Sequence, residues 1–123
     1  METFGHDVTE VARFITALTN QGNLDVTLLN EYEYIGIMPF MFTHAIIIGS
    51  YGDASSYNNR WCFHDYALTK KSLEAFLERV RREKPKPGSW GVDFEPDGWH
   101  RHPLTGRRRE IDEHKIMHDA QHL

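Results

Sequence analysis

The sequence predicts an α+β fold: a small antiparallel sheet flanked by two helices, then an irregular basic C-terminal arm. Three observations carry that expectation. Val8, Val11, Ala12, Ile15 and Leu18 fall on one helical face. Residues 31–66 are rich in aromatic and β-branched types, which suit a pleated, half-buried surface. Leu73, Phe76, Leu77 and Val80 form an apolar stripe at helical spacing.

Taken in order, a first helix is expected over residues 7–20, with Asp7 as N-cap and Gly22 as stop. Three strands follow, built from Tyr32 to Met38, Phe40 to Ile48 and Arg60 to His64. Pro39 should break or bend the first run, because it has no amide to donate. Residues 49–59 (GSYGDASSYNN) are turn chemistry throughout and should form a mobile loop between two strands. The second helix is expected over residues 69–82, capped by Thr69, with Arg79, Arg81 and Arg82 near its negative end. Pro85, Pro87 and Gly88 stop it. Residues 89–109 carry Trp90, Phe94 and Trp99 without a clean period, and residues 110–121 can form a final short helix. The whole reads as one domain of 123 residues, with a core over 1–88 and an Arg/His/Trp-rich arm over 89–123.

Composition narrows the function. Hydrophobic residues make up 40% and aromatics 12%, enough for a packed interior, so wholesale disorder is not expected. The single cysteine, Cys62, lies in an apolar run and reads as a buried small hydrophobe. Residues 1–7 lack the basic and long apolar regions of a signal peptide, and the apolar stretch 35–48 is too interrupted to span a membrane. The cytoplasm is the expected compartment. A net charge of −4 argues against a general binder of duplex nucleic acid. Basic charge is nevertheless concentrated over residues 70–86 and 101–109, which points to a local anion site.

The densest segment runs from Pro96 to Arg109. Arg101, Arg107, Arg108 and Arg109 offer planar forks for phosphate oxygens, and Trp99 offers a flat face to a base. Backbone amides at Gly98 and Gly106 can approach an anion closely. Trp99 can equally serve to pin the arm to the core. Asn58, Asn59 and Arg60 stand at a loop-to-strand junction, where the asparagines suit ribose hydroxyls and also suit a plain turn.

The string GWHRHPLTGRRR (98–109), preceded by Phe94-Glu95-Pro96-Asp97 and by a strand and a helix, resembles a pattern of small phage proteins. Among these it is similar to the Thoeris anti-defence sponge family, over residues 57–109. Residues 1–56 have no counterpart in that resemblance. It implies a non-enzymatic, cytoplasmic protein of the infected bacterial host. Such a protein sequesters the glycocyclic ADP-ribose signal of an immune TIR-domain enzyme, and cyclic oligonucleotides in addition. It also implies a homo-oligomer with ligand at or near subunit interfaces, and no cofactor. The positions it marks for the ligand are Asn58, Asn59, Arg60, Trp99, Arg101, Arg107, Arg108 and Arg109.

Two other classes stay open. His114, His118 and His122 recur every four residues, and His100 and His102 form a His-x-His pair, so a metal-dependent hydrolase or nuclease is conceivable. The plainer reading of the first three is incidental histidines on a loose terminal helix. The basic arm can also dock an acidic host protein as an interaction inhibitor. No Gly-rich phosphate loop, G-x-S-x-G or H-E-x-x-H occurs. His44 and His64 read as core or edge histidines, and Asp93 and Glu95 as surface.

Overall fold

The computed structural model of the chain describes residues 1–100, apart from 42 and 92. Helix α1 (Val8–Asn20) is followed by strands β1 (Leu24–Leu28), β2 (Glu33–Phe40), β3 (Thr43–Ser50) and β4 (Asn59–Phe63), then helix α2 (Tyr66–Glu83). The strands form one antiparallel meander in the order β1-β2-β3-β4. The α+β expectation is met, with one helix on each face of the sheet.

Strand alternation builds two cores. On one face Ile35, Ile37, Ile46, Ile48, Trp61 and Phe63 pack against Leu73 and Phe76 of α2. On the other, Tyr34 and Ile47 pack against Val11 and Leu18 of α1. Asp7 caps α1 by accepting from the Glu10 amide at 3.1 Å, as expected.

Four differences from the sequence reading have physical causes. A strand, β1, occupies residues left unassigned; it is short, and its register shifts between Leu24 and Thr27, where Asp25 has φ +50°. Pro39 does not end β2. It pairs with His44 beside the β2–β3 turn, where it lies exposed near the strand's end. Helix α2 begins at Tyr66, because Asp65 is the cap and accepts from the Leu68 amide at 2.8 Å. The Thr69 hydroxyl instead donates back to the Asp65 carbonyl at 2.6 Å.

The fourth difference concerns where the core stops. Trp90 and Phe94 are buried beside Phe76, so packing continues past residue 88. The chain after α2 lies back on the helix. Arg79 covers the Phe94 ring at 4.0 Å and donates to the carbonyls of Asp93 and Glu95, and Ser72 Oγ donates to Asp97 O at 2.6 Å. Glu33 fixes the start of this return. Its buried carboxylate accepts from Trp90 Nε1 at 2.9 Å, Gly88 N at 3.1 Å and Asn30 Nδ2 at 2.9 Å.

Candidate functional site at the β4 edge

The loop 51–58 leads into β4 and is laced by its own side chains. Asp53 accepts from the Ser55 amide and hydroxyl and from the Ser56 hydroxyl, which holds its carboxyl below the usual range. Tyr34 OH donates to Ser56 O at 2.9 Å, tying the loop to the sheet. Asn58 is exposed; its amide donates to Ile48 O at 2.7 Å and its Nδ2 to Ser50 Oγ at 3.3 Å. Asn59 begins β4, half-buried opposite Ile48.

Arg60 lies in β4, within the strand expected from Arg60 to His64. It is 1% exposed, on the α1 face of the sheet, directly opposite Ile47. Its guanidinium lies 3.9 Å from the Phe40 ring centroid, and Nη1 donates to Tyr57 OH at 3.0 Å. A planar cation held over one ring and bonded to a phenol is fixed in direction. Cys62 shares that face two residues on. Burial pushes its thiol up to about 11, against the opposing pull of Arg60, so the thiol stays protonated at neutral pH. The reading of Cys62 as a buried apolar residue fits this environment.

Beyond the strand, the chain returns to the same edge. The His100 amide donates to Cys62 O at 2.9 Å, and the His64 and His100 rings stack with centroids 4.1 Å apart. Trp99 packs, partly buried, against the α2-face core. Trp99 thus belongs with the α2-face core, whereas the Arg60 guanidinium belongs to the α1 face. Trp99 pins the chain to the core, one of the two roles its sequence context allowed. Asn58, Asn59 and Arg60 follow one another into β4, whereas His100 meets the strand further along, at Cys62 and His64.

Arg101, Arg107, Arg108 and Arg109 lie outside the described residues, as do His102, His114, His118 and His122. Among the described residues, no group of three or more His, Cys, Asp and Glu could hold a metal ion, and no helix is long and apolar enough to cross a membrane.

Sequence reasoning missed the pairing of His64 with His100 and of Arg60 with Phe40 and Tyr57. The alternation Arg60-Trp61-Cys62-Phe63 was the available signal: if Trp61 and Phe63 face the core helix, Arg60 must face the other side. No family model, curated protein or solved structure matches the chain.

Proposed function

We propose that the protein captures a small phosphorylated, nucleotide-like ligand at the β4 edge and holds it without breaking a bond. The observation that carries this reading is the bond from the His100 amide to Cys62 O. It fixes the residue immediately before Arg101 beside the strand that bears Asn59 and Arg60. Arg101 follows it directly in the sequence and Arg107, Arg108 and Arg109 come within the next eight residues, planar forks suited to phosphate oxygens. The likeness of residues 57–109 to the Thoeris anti-defence sponges makes a cyclic ADP-ribose-type signal the first ligand to try. On this reading the protein acts as a homo-oligomer in the cytoplasm of an infected bacterium, and two copies of the arm enclose the ligand.

Substitution in the arm tests the proposal. Each hydrogen bond to a charged group is worth about 1.5–3 kcal/mol, and 1.4 kcal/mol is tenfold in affinity. Arg107→Ala and Arg108→Ala should each weaken binding of glycocyclic ADP-ribose about tenfold or more, with the thermal midpoint unchanged. Unchanged affinity in both would remove the arm from the site.

A further inference from the structure

A cleft lies between α2 and the β1 side of the sheet, at the opposite edge from β4. Helix α2 covers the central strands, and its C-terminal half borders the outer strand across a cleft of about 500 Å³. That size lies within the range of small-molecule sites. Leu29, Leu77, Val80 and Phe4 line it with apolar surface, and the exposed Arg81 and Lys84 line it too.

Two independent features set this cleft apart from a packing defect. The first is its wall. Phe4 sits at φ +51°, a backbone region that costs a bulky L-residue on the order of 1 kcal/mol. The conformation is held from several sides. Phe4 N donates to Glu2 Oε1 at 2.8 Å, and His6 N to Thr3 O at 3.0 Å. The His6 ring lies tilted against Tyr51, centroids 4.3 Å apart, with Nε2 2.8 Å from Glu31 O. Despite that anchoring, the ring stays 37% exposed, beside the cleft instead of inside a core.

The second is charge. Arg79 and Arg82 both pair with Glu83, whereas among the described residues neither Arg81 nor Lys84 makes an ion pair. Basic residues in a helix's last turn also offset its dipole. That role does not require an apolar cleft beside them. Glu2 also lines the cleft and accepts from the Phe4 amide while keeping its charge, so an anionic head group is favoured only on the Arg81 and Lys84 side.

We infer that the cleft binds a small amphipathic monoanion, an aliphatic or aromatic carboxylate. The hydrocarbon lies between Phe4, Leu77 and Val80, and the head group reaches Arg81 and Lys84. This site is independent of the proposed capture of a phosphorylated ligand.

Titration calorimetry of the full chain with decanoate, and with decanol as the uncharged control, tests the inference. Saturable binding of one decanoate per chain is expected, with decanol at least tenfold weaker. The double variant Arg81→Gln/Lys84→Gln should lose about tenfold for decanoate and little for decanol. Phe4→Ala, which alters an exposed side chain, should weaken both. Absence of saturable decanoate binding would overturn the inference, as would affinity indifferent to all three substitutions. Sedimentation showing a dimer that Phe4→Ala dissociates and decanoate does not would also overturn it, by assigning the cleft to a second copy of the chain.

Discussion

Tyr34 is buried between α1 and the sheet, with its hydroxyl on Ser56 O. Burial pushes its pKa up to about 12 from 10, so the folded state keeps a proton that the unfolded chain gives up earlier. The sign follows: this contribution to stability is full below about pH 10 and is lost as pH rises through about 12. Tyr34→Phe should therefore flatten the alkaline limb of a denaturation profile, while costing about 1 kcal/mol at neutral pH for the lost hydrogen bond. Equal alkaline slopes in the two proteins would contradict this. Glu33 offers a second case. Glu33→Ala leaves Trp90 Nε1, Gly88 N and Asn30 Nδ2 without their acceptor, and should cost about 2–3 kcal/mol in chemical denaturation. Trp90 fluorescence should shift with it. Neither role was legible in the sequence. A glutamate at the head of a strand reads as surface, and only the return of the chain after α2 brings the indole to it.

At the scale of elements, periodicity was a good guide and ends were a poor one. Helix α1 and the apolar stripe of α2 were legible because each buries one continuous face. The start of α2 was misjudged because Thr69 and Asp65 are both competent caps four residues apart, and only the backbone decides between them. Asp65→Ala should cost about 1 kcal/mol, whereas Thr69→Ala removes no N-terminal cap. A thermal melt in which Asp65→Ala costs nothing would contradict the assignment of Asp65 as the cap. Strand β1 escaped notice because its five residues are interrupted at Asp25, so the alternation that marks a strand never repeats cleanly. The side chain freed there is not idle. Asp25 accepts from Tyr66 OH at 2.5 Å and lies 3.4 Å from Lys70 Nζ, tying β1 to the first turns of α2. The hydrogen bond to Asp25 raises the Tyr66 pKa, and Lys70 is raised by its contact with Tyr66 first and with Asp25 second.

The whole molecule is a sheet with two different faces and one busy edge. The α+β class was legible from composition and period alone. The candidate site was legible only in part: its residue types could be read along the chain, but not the faces they occupy. Arg60 and Trp99 looked like partners because both belong to the vocabulary of nucleotide binding, yet strand alternation sends the arginine to one side and core packing holds the tryptophan on the other. His100 closes on β4 at Cys62, one residue before the basic segment of the sequence. The proposed role therefore depends on capture, by that edge and arm together, of a ligand that is afterwards released unchanged. Calorimetric titration of the purified protein with glycocyclic ADP-ribose, followed by heat denaturation and chromatography of the released material, tests this most directly. Saturable binding with the ligand recovered intact is the predicted result. Recovery of an altered ligand would make the protein an enzyme and turn attention to its histidines, and absence of binding would contradict the proposed ligand class.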